Sequence, residues 1–225
     1  MIKKSKIFEV YEEEKGRKKY LYTLNLTPGK KVYDERLVKQ SDGEYREWNH
    51  RKSKLGAAIL KGCPNIGIRK KDVVLYLGAS TGTTPSHISD IVGKEGFVFA
   101  LDFAPRVVRE LYFLCELRKN MAPLLENASL PEKYKDKITK EVDIVYQDIA
   151  QKQQSRIFLE NCRLFLKKDG YALIAVKARS IDVTKKPGEI FKKVRQEIEK
   201  ELVIIDERKL DPFEKDHMFF VCKKK

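Results

Sequence analysis

The residues best placed to do chemistry fall in four short segments, each following an apolar run. The first is Gly78-Ala79-Ser80-Thr81-Gly82-Thr83-Thr84. Gly78 and Gly82 allow a tight turn and close approach of the backbone to a ligand. Thr83 and Thr84 fall where a following helix exposes free N–H groups. The second is Asp102, 24 positions beyond Gly78, where a carboxylate can bind both hydroxyls of an adenosine ribose. Glu126-Asn127-Ala128 and Asp148-Ile149-Ala150-Gln151 follow the next two apolar runs. The glycine spacing is GxxxGT, not the GxGxxG of pyrophosphate binders, and no Gly-Lys-Ser/Thr makes a P-loop. A nucleoside without a pyrophosphate fits better, and S-adenosylmethionine is the common one.

These segments need a frame that brings them to one edge. Residues 54–225 alternate strand and helix patterns: DVVLYLG, FVFALDF, MAPLLEN, VDIVYQD and GYALIAVKA as strands, separated by helical stretches. Near-continuous apolar strands are those of a parallel sheet covered on both faces. Repeated β-α units predict a doubly wound, Rossmann-like α/β sheet. VIIDERKL and HMFFVCK face each other across DPFEKD, which makes seven strands with an antiparallel last strand. In such a sheet the carboxyl strand ends share one ligand-binding edge. Residues 1–53 read differently. IFEVYEEE, KKYLYTLNL, KKVYDERLV and GEYREW are separated by turn signals and predict a small antiparallel β-domain.

Composition narrows the partners. The 225 residues carry 47 Lys and Arg against 33 Asp and Glu, a net charge of +14. That excess favours a polyanion, most simply nucleic acid. No apolar run approaches ~18 residues, so no membrane span or membrane partner is expected. The basic N-terminus lacks an apolar core, which argues against a signal peptide. Cys63, Cys115, Cys162 and Cys222 form no CxxC pair. No metal site is expected from them, and a reducing, cytoplasmic compartment is. His87 reads as a structural helix residue, and His50 carries no assignment.

LGASTGTTPSHISDIVG, ALDFAPRVVREL, DIVYQDIAQ, IAVKARSIDVT and EKDHMFFV together resemble fibrillarin of the compact archaeal type, over nearly the whole chain. The resemblance implies an S-adenosylmethionine-dependent RNA 2′-O-methyltransferase of a box C/D ribonucleoprotein, acting on rRNA, with tRNA as a second substrate class. It implies a guide RNA and a target RNA, a Nop-domain scaffold and a kink-turn-binding ribosomal protein as partners. Gly78, Ala79, Thr83 and Thr84 would hold the methionine portion. Asp102 and Phe103 would meet the ribose and adenine, and Asn127 and Ala128 the adenine edge. Asp148, Ile149, Ala150 and Gln151 would line the methyl-donor side. Related RNA methyltransferases use a Lys-Asp-Lys-Glu tetrad, and the matching positions are Lys54, Asp148, Lys177 and His217. On this reading Lys177 orients the hydroxyl or acts as base, Asp148 holds that lysine, and Lys54 and His217 position the ribose and its phosphate. Three positions depart from the family pattern: Asp102 for Glu, Asn127 for Asp and Lys152 for Pro. The competing functions are a non-catalytic RNA-binding assembly subunit on the same fold and a nicotinamide-dependent oxidoreductase.

Overall fold

Aromatic and β-branched stretches broken by turns give the first fifty residues their short strands. The computed structural model, which describes residues 1–225, has five there: β1 (Lys3–Lys4), β2 (Tyr11–Lys15), β3 (Lys18–Leu24), β4 (Leu37–Gln40) and β5 (Gly43–Trp48). They pair antiparallel in the order β1-β2-β3-β5-β4. Two expected strands are shorter than their patterns. Ile7–Glu9 turn instead, with Ser5 Oγ accepting the Ile7 N–H at 3.0 Å. Val32 and Tyr33 bend around Glu35, whose carboxylate accepts both of their N–H groups at 2.9 and 2.8 Å. A buried acid with two backbone donors outweighs the strand preference of the sequence around it.

Helix α1 (Lys54–Leu60) begins at Ser53, whose Oγ accepts the Gly56 N–H at 3.2 Å. This is an ordinary N-cap. The β-α alternation then runs β6 (Val73–Leu77), α2 (Thr83–Val92), β7 (Phe97–Asp102), α3 (Pro105–Leu117), β8 (Met121–Leu125), β9 (Val142–Gln147), α4 (Gln154–Phe165) and β10 (Leu166–Lys177). It closes with α5 (Ala178–Ile181), α6 (Pro187–Glu199), β11 (Leu202–Lys209) and β12 (His217–Lys224). The strand order is β11-β12-β10-β9-β6-β7-β8. β12 runs antiparallel to both neighbours, and sits between β10 and β11 rather than at the sheet margin. Order reverses between β6 and β9, so the ligand crevice belongs at their carboxyl ends. Apolar clusters of 30 and 25 buried residues hold the fold together, which is why the central strands are apolar throughout.

The two sheets meet across a polar seam. Arg46 of β5, Glu35, Asp90 of α2 and Arg118 have fully buried side chains. Asp90 takes Arg118 Nη1 at 2.7 Å, Arg46 Nε at 3.1 Å, Thr23 Oγ1 at 2.7 Å and the Leu26 N–H at 3.1 Å. Trp48 stacks on His87 with ring centroids 4.8 Å apart. The seam fixes α2, and with it the loop that leads into α2.

Candidate active site at the carboxyl edge of the sheet

The loop after β6 is pinned by the neighbouring strand. The N–H groups of Gly78 and Ala79 both donate to Leu101 O at 2.9 Å. Gly78 has φ +87°, and a Cβ there would lie 2.3 Å from the carbonyl oxygen of Asp148. Only glycine lets the ends of β6 and β9 come this close. Gly82, at φ +93°, is fixed by a second contact: its Cβ would meet Leu114 Cδ2 at 2.3 Å.

Between these strand ends lies a cavity of about 300 Å³. Gly78, Asp102, Phe103, Asn127, Ala128, Asp148, Ile149, Ala150 and Gln151 line it, all anticipated from sequence. Ala79, Thr83 and Thr84 do not. Thr84 is buried and its hydroxyl donates to Ser53 Oγ at 3.0 Å. It ties the first turn of α2 to the cap of α1, and so helps to place Lys54. Ser80, Leu101, Ser129 and Ile157 also line the cavity and escaped the sequence reading. Ser80 sits between the two loop glycines with φ +49°; its position in the loop was the available signal.

Asp102 is held rigidly. Its Oδ2 accepts the Ser80 N–H at 2.9 Å and its Oδ1 the Ala104 N–H at 3.1 Å. Each carboxylate oxygen keeps a further lone pair for a ligand hydroxyl. Phe103 is 63% exposed beside it, an aromatic face ready to cover a flat ring. Asn127 Oδ1 accepts from the N–H and hydroxyl of Ser129, at 3.0 and 2.8 Å.

The four residues of the tetrad converge from four elements. Lys54 opens α1, Asp148 follows β9, Lys177 ends β10 and His217 begins β12. Because β12 is antiparallel, its start lies at the carboxyl edge, with His217 opposite Lys177 in register. Lys54 Nζ lies 3.0 Å from both oxygens of Asp148. The structure therefore corrects one expected role: Asp148 is held by Lys54, not by Lys177, whose ammonium is exposed and in no ion pair. His217 is 5% exposed. Burial, helped by the positive charge of Lys54, pushes its imidazole below the usual range, so it is neutral at pH 7. Its Nδ1 lies 2.7 Å from Lys215 O. A carbonyl only accepts, so Nδ1 carries the proton and Nε2 keeps its lone pair.

A fibrillarin family model matches residues 1–225. The chain belongs to the fibrillarin family. A fibrillarin-like rRNA/tRNA 2′-O-methyltransferase of Thermococcus onnurineus is 49% identical over 99% of each chain. Aeropyrum pernix fibrillarin, solved with natively bound S-adenosyl-L-methionine, is 41% identical with a TM-score of 0.90, over 99% of this chain and 97% of that one. A fibrillarin solved in complex with Nop5p is 40% identical with a TM-score of 0.87, over 97% and 99%. For this fibrillarin-family chain, the residues present fit the same ligand. The glycine at 78 leaves room where a Cβ would collide, and Asp102 presents a fixed pair of acceptors without a pyrophosphate loop.

Proposed function

We propose that this chain is the methyl-transferring subunit of a box C/D ribonucleoprotein. On this reading it methylates ribose 2′-hydroxyls in rRNA and tRNA that a separate guide RNA selects. The observation that carries it is the double position of Asp148. This residue lines the nucleoside cavity on one side and pairs with Lys54 on the other, beside Lys177 and His217. The net charge of +14 suits an RNA partner, and phosphate contacts by Lys and Arg are read by shape, not sequence. Base pairing by the guide supplies sequence choice. A Nop-domain scaffold and a kink-turn-binding ribosomal protein complete the particle.

When bound, S-adenosylmethionine supplies an electrophilic sulfonium methyl. Asp102 would hold the ribose hydroxyls of that cofactor, Phe103 and Asn127 its base, and Gly78 with Asp148 the end nearest the methyl. The acceptor hydroxyl is a poor nucleophile until its proton leaves, so the chain must orient it and receive that proton. Lys177 Nζ, exposed and unpaired at the strand end, is the group that meets the hydroxyl; once its ammonium has given a proton to water, the free amine takes the hydroxyl's proton. Lys54 and Asp148 form a fixed charge pair that shapes the floor beneath. His217 Nε2 offers a neutral acceptor where the related tetrad has a carboxylate, which holds a lysine ammonium without adding charge.

The test is methylation of a target RNA by the chain with and without its guide RNA and partner proteins. Isothermal titration with S-adenosylmethionine and NAD runs beside it. Guide-dependent methylation with cofactor binding is expected. Cofactor binding with no transfer by the complete particle would favour the assembly subunit, and NAD binding would favour the oxidoreductase.

A further inference from the structure

The geometry points to Gln154, the first residue of α4, as the positioning residue for Lys177. The inference rests on the reading of Lys177 given above. Lys177 has four rotatable side-chain bonds and no ion-pair partner, so its direction is set by its backbone. That backbone lies just beyond the sheet's support. The last β10–β9 pair is Ile174 with Gln147, three residues before Lys177. On the β12 side Lys177 still pairs with His217, but on the β9 side Ala175, Val176 and Lys177 have outrun their neighbour.

Gln154 fills this gap. Its Nε2 donates to Lys177 O and its Oε1 accepts the Lys177 N–H, both at 3.1 Å. One side-chain amide thus makes the donor and acceptor contacts that a paired strand residue would make. Gln154 is fully buried, so water does not compete. It is held in turn by Gln147, whose Nε2 donates to Gln154 O at 2.8 Å. Gln147 directly precedes Asp148. The backbones that carry Asp148 and Lys177 are therefore joined by two amide side chains and the start of α4.

The arrangement is not what packing alone would select. Gln147 is fully buried and its Oε1 has no partner. An unpaired buried acceptor destabilises a fold, and an apolar side chain there would avoid it. Its amide is committed instead to holding the residue that holds Lys177.

The experiment is single-turnover methylation on the reconstituted particle with Gln154→Met, which keeps the volume and loses both hydrogen bonds. A fall of about tenfold is expected, the scale of a small misplacement of a reacting group. KM for target RNA and affinity for S-adenosylmethionine should stay within about twofold, since neither ligand is bound by Gln154. Gln154→Glu keeps an acceptor for the Lys177 N–H and should lose less. In a Lys177→Ala background, Gln154→Met should slow the residual rate no further. Full rate in the folded Gln154→Met particle overturns the inference. So does an equal loss in both backgrounds. If Gln154→Met does not fold, full rate in Gln154→Glu overturns it. Full rate in Lys177→Ala alone would sink the reading of Lys177, a separate outcome.

Discussion

The seam between the two sheets and the carboxyl edge of the larger one use the same side-chain types: a basic residue, an aspartate and a histidine. They differ in what the polar atoms meet. In the seam, Asp90 is saturated by Arg118, Arg46, Thr23 and Leu26, and His87 is bonded at both nitrogens. At the edge, Lys177 has no ion-pair partner and Asp102 keeps lone pairs to spare. Charges that answer one another inside the chain maintain a shape. Charges left open toward a cavity await a ligand. The first group is invested in stability, and the second is held in place at the sheet edge by helices and strand ends.

Removing one member from each region should separate the two roles. The largest effect is expected for Asp90→Ala. It leaves the buried Arg118 guanidinium without a carboxylate and Arg46 with Glu35 alone, and breaking a buried ion pair costs about 3–5 kcal/mol. Denaturant unfolding should show that loss, while molecules that remain folded should bind S-adenosylmethionine normally. Stability within about 0.5 kcal/mol of the parent, the range of an ordinary surface change, would mean that the seam is not the clamp described here.

Lys177→Ala should do the reverse. Single-turnover methyl transfer should fall by about 10²-fold or more, as for a lost acid–base or positioning group. Cofactor affinity and unfolding free energy should hardly move, because the side chain is exposed. Lys177→Arg should fail as well, since a guanidinium does not release its proton and differs in shape. Near-normal turnover in Lys177→Ala would remove the residue from the chemistry and leave Asp148 as the candidate, and near-normal turnover in Lys177→Arg would take the proton transfer from it. Asp102→Ala should weaken S-adenosylmethionine binding by about 1.5–3 kcal/mol, the range of a charge-assisted hydrogen-bonding group. Unchanged affinity in titration of the folded variant would take Asp102 out of the ribose site.

The seam also predicts a pH response. His87 Nδ1 lies 2.8 Å from Thr23 Oγ1 and its Nε2 2.7 Å from the Tyr33 hydroxyl, so both ring nitrogens are engaged inside the seam. Burial, with Arg46 and Arg118 nearby, holds the His87 imidazole well below its ordinary range. The unfolded chain then binds the proton more readily. The stabilising contribution is complete above about pH 6.5 and is lost as pH falls below that value, at up to about 1.4 kcal/mol per unit. Unfolding free energy measured from pH 7.5 to 5 should stay level and then decline below about pH 6.5 with a slope approaching this value in the parent, and more gently in His87→Gln. Equal slopes would mean that His87 is not the group titrating.

The edge was far more legible in the sequence than the seam. Strand ends advertise themselves: an apolar run stops, and a glycine or acid follows, as at Gly78, Asp102 and Asp148. His217 and Lys54 became readable only through the motif set, because neither has a local signal. The seam left no trace of its kind. Arg46, Arg118 and Glu35 look like any surface charges among 47 basic and 33 acidic residues, and only the packing of one sheet on α2 buries them. The same long-range contacts explain the strands misjudged near Val32 and Ile7, where Glu35 and Ser5 capture backbone donors. Thr84 has a structural role that the sequence hid for a related reason. A helix N-terminus beside a glycine loop suggests a ligand, yet its hydroxyl is engaged with Ser53.

The smallest effect is expected at Asn127, where the two regimes meet in one side chain. Its Oδ1 is satisfied internally by Ser129, while the residue lines the cavity. Asn127→Asp can keep both bonds to Ser129, because a carboxylate oxygen accepts as an amide oxygen does. The turn should therefore survive. What changes is the second atom, from an amide donor to a charged acceptor. An adenine amino group is a donor, so the variant should bind S-adenosylmethionine more tightly, by about 1 kcal/mol. Titration calorimetry on the isolated chain reads this directly, and transfer rate at saturating cofactor should be unchanged. Weaker binding by a folded Asn127→Asp chain would show that the amide donates to the ligand and that this pocket has been built around a donor. Asn127 would then belong with the saturated residues of the seam in its exactness of fit, not with the open residues of the edge.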